Sequence, residues 1–139
     1  MISNRHILTS AYCVGNESPG SIEVILGEHR IDDDIVTRAT VGNILLDPLH
    51  YSNSTHNLKY NFAILTLTYE ITLSPQVSPI CLPRDPAQDY AGQLATATGW
   101  GWLDYDDPSS SPPTLQEVNV TVNTHEECQN AYHNDKIEK

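Results

Sequence analysis

The sequence predicts an all-β protein, and three observations carry that expectation. Nine prolines are spread over 139 residues, and proline breaks helices by removing an N–H donor and clashing with the preceding turn. Seven tyrosines fit the aromatic enrichment of strands. Stretches with helical periodicity are few, whereas short alternating or apolar runs of strand length recur.

The size of the chain is that of one domain with a core. Its hydrophobic fraction of 39% lies above a disordered composition. A formal charge of -11 disfavours nucleic acid and anionic membranes as partners, since both repel an acidic surface. No run of about 18 apolar residues exists, so no membrane span is expected. Cys13, Cys81 and Cys128 are far apart and lack metal-ligand spacing. Their odd number points to partners elsewhere or free thiols. The triplets beginning at Asn16, Asn53 and Asn119 are N-glycosylation sequons, which suit a secreted chain. Against this, Met1 is followed by Ile-Ser-Asn-Arg-His rather than a charged and then apolar leader. No signal peptide is therefore expected in this sequence, and the conflict reads as truncation.

In order, residues 2–14 form a strand that ends in a tight turn or single helical turn at Thr9-Ser10-Ala11-Tyr12-Cys13. A Gly/Pro/Asn loop follows, then a strand over 22–26 stopped by Gly27. Residues 28–34 are a carboxylate-rich loop, and 36–46 a β-branched strand closed by Asp47-Pro48. Residues 50–57 are a Ser/Asn loop. The run 60–67 is the most buried-looking strand. Residues 71–86, with Pro75, Pro79, Pro83 and Pro86, read as an extended connector between two halves. A strong strand over 94–101 ends in Gly99-Trp100-Gly101. An exposed acidic, Ser/Pro-rich loop over 104–113 precedes a half-buried strand over 115–122. Thr124-His125-Glu126-Glu127 is a capping box that opens a short helix through Tyr132. Residues 134–139 look solvated.

The opening run Ile2-Ser3-Asn4-Arg5-His6-Ile7-Leu8-Thr9-Ser10-Ala11-Tyr12-Cys13 resembles the segment around the catalytic histidine of trypsin/chymotrypsin-like serine peptidases. Further matches follow in order: Leu26-Gly27-Glu28-His29, Asn61-Phe62-Ala63-Ile64-Leu65-Thr66-Leu67, Pro79-Ile80-Cys81-Leu82-Pro83, Ala97-Thr98-Gly99-Trp100-Gly101, Leu115-Gln116-Glu117-Val118 and Glu127-Cys128. The resemblance implies a trypsin-like double β-barrel, present in part. Residues 1–74 would supply most of the first barrel, 75–90 the inter-barrel connector and 91–139 the start of the second. It implies disulfide partners for Cys13, Cys81 and Cys128 outside the chain. The family's activation terminus, its Gly-Asp-Ser-Gly-Gly nucleophile segment and its specificity pocket have no counterpart in this sequence. A barrel lacking strands exposes edges and apolar faces, so this piece is not expected to fold stably alone.

The resemblance puts Tyr12 where the family has its catalytic histidine and Asn61 where it has the aspartate. Serine nucleophiles need a base with a pKa near neutrality and a carboxylate that orients it. An ordinary phenol, with a pKa near 10, stays protonated at pH 7 and is no such base. A neutral amide cannot balance an imidazolium. In a trypsin-family enzyme itself, Asp-to-Asn exchange alone is known to cost about four orders of magnitude in turnover. With the serine absent as well, no catalytic site is expected to be intact.

Other candidates have plainer readings. His6 reads as structural, and His50 and His56 as solvated loop histidines. Trp100 and Trp102 read as core and rim aromatics, and Tyr12 as a side chain that packs in a cleft. Glu28 with Asp32, Asp33 and Asp34 offers hard oxygen ligands in a loop where some relatives hold calcium. Its spacing departs from theirs, which favours a solvated acidic turn. No cofactor or metal is expected.

The leading expectation is a secreted, non-catalytic serine-peptidase homologue that binds peptidases, inhibitors or protein substrates. Two alternatives stay open: a trypsin-like endopeptidase whose sequence is partial or faulty at 12 and 61, and a decayed fragment without function.

Overall fold

The computed structural model describes residues 1–31, 36–50, 60–85 and 87–132. These residues form two compact units, one comprising Met1–Glu28 and Asp34–Pro83, the other His29–Asp33 and Arg84–Lys139.

The first unit is built on four antiparallel strands, β1 (His6–Thr9), β2 (Glu23–Leu26), β3 (Thr37–Leu46) and β4 (Ala63–Leu67), in the order β1-β4-β3-β2. Strand β4 is central, and its alternation decides which face is buried. Ala63, Leu65 and Leu67 are 1–3% exposed, with Ile64 and Thr66 turned the other way. Ile7 of β1 and Ile44 of β3 both pair with Leu65, and so pack on the same core from either side.

Strand β3 has a feature that simple alternation does not give. Its buried residues are the odd-numbered Ala39 and Val41, but after the register shift between Val41 and Asn43 the inward positions are the even-numbered Ile44 and Leu46. One extra residue in a β-bulge reverses side-chain parity. Gly42 occupies it, and a Cβ there would lie 3.3 Å from the Thr68 methyl. Gly27 ends β2 as expected, because the chain leaves the strand at φ +81°, where glycine carries no steric cost.

The connector over 71–86 contains no helix or long strand among its described residues, only the isolated Ser74–Val77 bridge. It does more than connect. Ile71 (5% exposed) and Val77 (8%) belong to the core, which has nine buried members among the described residues. The chain's first residues hold this segment, with the Ile71 N–H donating to the Asn4 carbonyl at 2.8 Å and the Ile80 N–H to that of Met1 at 2.9 Å.

Among its described residues the second unit contains one two-stranded antiparallel sheet, β5 (Leu94–Gly99) paired with β6 (Gln116–Thr121). Ala95, Ala97, Val118 and Val120 share one face, while Thr96, Thr98, Glu117, Asn119 and Thr121 share the other. The half-buried strand expected over 115–122 is corrected here: every residue of β6 is exposed, Val118 by 57% and Val120 by 45%. The alternation is genuine, but Ala95, Ala97, Val118 and Val120 on the apolar face are all exposed. The loop 104–113 carries a 3-10 turn, Pro108–Ser110, in which the Ser109 N–H donates to the Asp107 carboxylate, and Pro112 behind it is buried. Residues His29 and Ile31 join this unit by backbone bonds to Leu115 and Pro113, both 2.7 Å long.

The described residues also form two short α-helices. Helix α1 (Ala11–Val14) is the single turn expected after β1. Helix α2 (His125–Ala131) has its expected capping box: the Glu127 N–H donates to Thr124 Oγ1 while the Glu127 carboxylate accepts from the Thr124 N–H. The solvated tail expected over 134–139 lies outside the described residues. Among the described residues, no helix is long and apolar enough to cross a membrane.

Candidate functional site

Residues 12 and 61, far apart in sequence, meet at the start of α1. A helix begins with backbone N–H groups that have no partner of their own. Ser10 stands at the N-cap in extended conformation, yet its side chain does not cap the helix. Asn61 does so instead. Its backbone carbonyl accepts from the Ala11 N–H at 3.3 Å, and its Oδ1 accepts from the Tyr12 N–H at 2.7 Å. The Ser10 hydroxyl donates to the same Oδ1 at 2.8 Å. A backbone N–H can only donate, so oxygen rather than nitrogen of the amide must face it.

This arrangement decides what residue 61 has left to offer. Two donors occupy Oδ1, which has two lone pairs. The remaining polar atom of the side chain is Nδ2, a donor without an acceptor among the described residues. A carboxylate here would retain a second oxygen as acceptor.

Backbone geometry reinforces the placement. Tyr60, directly before Asn61, is the one non-glycine residue with positive φ among those described, at 55°. That conformation is uncommon for an aromatic residue, and it turns the chain into the site. Sequence reasoning missed it, because nothing in Tyr-Asn marks a left-handed residue. Ala11 and Val14, on the inner side of α1, are buried in the core of the first unit. Tyr12 faces out with 77% of its surface exposed. The expectation that it packs in a cleft is therefore corrected within its unit: burial of α1 uses positions 11 and 14, and position 12 points away from them.

The other candidates disperse. His6 is structural as expected, its Nδ1 lying 2.8 Å from Ser3 Oγ. His50 sits in a turn whose amide donates to the Asp47 carbonyl; His56 lies outside the described residues. Cys13 and Cys81 are exposed and Cys128 half-buried, and none is in a disulfide. Glu28 is half-buried, whereas Asp32, Asp33 and Asp34 lie outside the described residues; among those described, no His, Cys, Asp or Glu group is placed to hold a metal. Asn16 is exposed in a turn, Asn53 lies outside the described residues, and Asn119 on β6 accepts from Thr96 Oγ1 at 2.9 Å. Trp100 is half-buried with no partner for its buried Nε1 among the described residues, and Trp102 is 54% exposed. Trp102 lines a groove of about 340 Å³ with Leu103, Ala97 and Val118.

Comparison with known proteins agrees with this architecture. The trypsin family model matches residues 1–139, and the chain belongs to that family. Serine protease filzig of Drosophila melanogaster is 31% identical over 96% of this chain and 8% of its own length. The proclotting enzyme of Tachypleus tridentatus is 32% identical over 97% of the chain and 38% of its own length. The crystal structure of a scabies mite inactivated protease paralogue, S-D1, superposes with a TM-score of 0.83 at 20% identity, over 96% of this chain and 55% of that one. The chain thus spans well under half of these curated relatives. Its fold is a partial trypsin-like barrel architecture, as the sequence predicts.

Proposed function

We propose that this chain is a non-catalytic member of the trypsin family, a pseudo-peptidase that serves as a binding or regulatory module in proteolysis. The carrying observation is the state of Asn61. Tyr12 and Asn61 occupy, by resemblance, the positions of the catalytic base and of the carboxylate that orients it. An imidazole base needs an acceptor for its Nδ1–H to be held in the productive tautomer. Asn61 uses its oxygen for Ser10 and Tyr12, and the polar atom it has left is a donor. A phenol in place of the imidazole lacks the near-neutral pKa that general-base work requires. Both partners of the relay are thus unsuited, for separate reasons.

The same reading divides the chain into most of a first barrel (1–74), a connector (75–90) and the start of a second (91–139), with Cys13, Cys81 and Cys128 pairing with residues beyond it. It places the protein outside the cell, in keeping with the three sequons. Its partners are proteins, either peptidases, their inhibitors or their substrates. The inactivated scabies mite protein shows that this fold is found in a protease that has lost its activity.

The test is reaction of the native protein, after any proteolytic activation, with a fluorophosphonate serine probe. No labelling above a heat-denatured control is expected. Labelling would overturn the proposal, as would a transcript that encodes His and Asp at positions 12 and 61.

A further inference from the structure

We infer that Asn16 is an acceptor for an N-linked glycan, carried on the segment that presents Tyr12. The inference rests on the extracellular reading above, since the reaction requires the secretory pathway.

An acceptor asparagine needs a free carboxamide, a hydroxyl two residues on, and a surface turn that admits a large polar substituent. The segment after α1 meets each condition. Its shape is held by backbone groups and by side chains other than those of Asn16 and Ser18. The Gly15 N–H donates to the Ala11 carbonyl at 2.7 Å, and the Glu17 N–H to that of Val14 at 3.0 Å. The Glu17 carboxylate accepts from Ser21 Oγ at 2.8 Å, and the 3-10 turn Pro19–Ser21 closes on the Ser18 carbonyl. Val14 anchors the whole to the core. Asn16 and Ser18 are both exposed, and the Ser18 side chain caps nothing. No side-chain bond of Asn16 within the described residues has to be broken for a glycan to stand there.

Asn119 differs. It lies within a strand, and its Oδ1 already accepts from the cross-strand Thr96 hydroxyl. Of the two sequons among the described residues, Asn16 has the fewer structural duties.

In the reaction, Asn16 Nδ2 attacks the anomeric carbon of a polyprenyl-diphosphate-linked oligosaccharide. The new bond is N–C1, the C1–O bond to diphosphate breaks, the polyprenyl diphosphate leaves, and the amide loses one proton to solvent. No oxidant or reductant is involved. Asn16 is four residues from Tyr12, at most ~14 Å along an extended chain, so the carbohydrate joins the surface around the phenol.

The experiment expresses the chain in a eukaryotic cell both from its own full-length gene and behind a heterologous secretion leader. The whole endoplasmic-reticulum fraction is taken, so that poor secretion does not mask modification. Peptide-N-glycosidase in heavy-oxygen water then marks each glycosylated asparagine for peptide mapping. The mark is expected at residue 16, with loss of one oligosaccharide's mass in both Asn16→Gln and Ser18→Ala. A leader-driven chain unmarked at Asn16 would overturn the inference. Marking with the leader but not from the native gene would support the acceptor while sinking the extracellular reading.

Discussion

The two units of this chain have comparable strand signals and opposite burial. Among the described residues, all nine that form the core, from Ala11 to Val77, belong to the first unit, where four strands, α1 and the connector close around them. In the second unit, β5 and β6 pair over six residues in regular register, yet β6 has no residue out of solvent. Local pattern sets whether a segment is extended, through pairing and alternation. Burial depends on what lies opposite, which a strand's own residues do not encode. That difference matters for the site, because Asn61 and Tyr12 are held by the unit that has a core.

Substitutions test the contrast most sharply where burial is greatest. Leu67→Ala, at a position 1% exposed, is expected to cost about 2–5 kcal/mol by the cavity it leaves, read as a lower denaturation midpoint. Val118→Ala, at the 57% exposed position of β6, should stay within about 0.5 kcal/mol. Equal losses at the two positions would mean that the units are not different in kind.

Next in size is the tie between Asn61 and α1. Asn61→Ala removes the acceptor of the Tyr12 N–H and the Ser10 hydroxyl, and about 1–2 kcal/mol of stability is expected to go with it. Asn61→Asp keeps both bonds, strengthens them through its charge, and should show no such loss. If Asn61→Ala were silent, the cross-chain cap would be ornamental.

A smaller effect is expected in the second unit. Thr124→Ala removes the α2 cap and should lower stability by about 1 kcal/mol, visible as lost helical circular dichroism. The Glu127 carboxyl is held below its ordinary value of 4.5, first by the Thr124 backbone N–H and then by its hydroxyl. A depressed folded value means that the stabilisation is present above pH 4.5 and disappears as pH falls through the folded value. The wild-type helix signal should therefore drop on acidification more than that of Glu127→Gln. Parallel curves would show that the cap does not respond to this carboxyl.

Much of the fold was legible in the residues themselves. Thr124-His125-Glu126-Glu127 announced a capped helix because capping is local chemistry, and Gly27 announced a strand end because positive φ favours glycine. The bulge at Gly42 was less visible. A glycine inside a β-branched run is a known sign of one, but the change of inward residues from Ala39 and Val41 to Ile44 and Leu46 appears only when β4 is set alongside. Ile71 and Val77 were hidden by the prolines around them, which mark extended chain and are silent on whether it is buried. At the site, it was the resemblance to the family's motifs that singled out Tyr12 and Asn61. That Asn61 caps α1 with its own oxygen depends on a contact across 49 residues, beyond the reach of sequence periodicity.

The most direct measurement is peptide hydrolysis by the activated native protein, followed from acid to mildly alkaline pH. With a phenol and an amide at positions 12 and 61, no turnover above the buffer rate is expected at any pH. Turnover that rises through the histidine range, about pH 6.5, would reveal a working imidazole base and contradict the non-catalytic account.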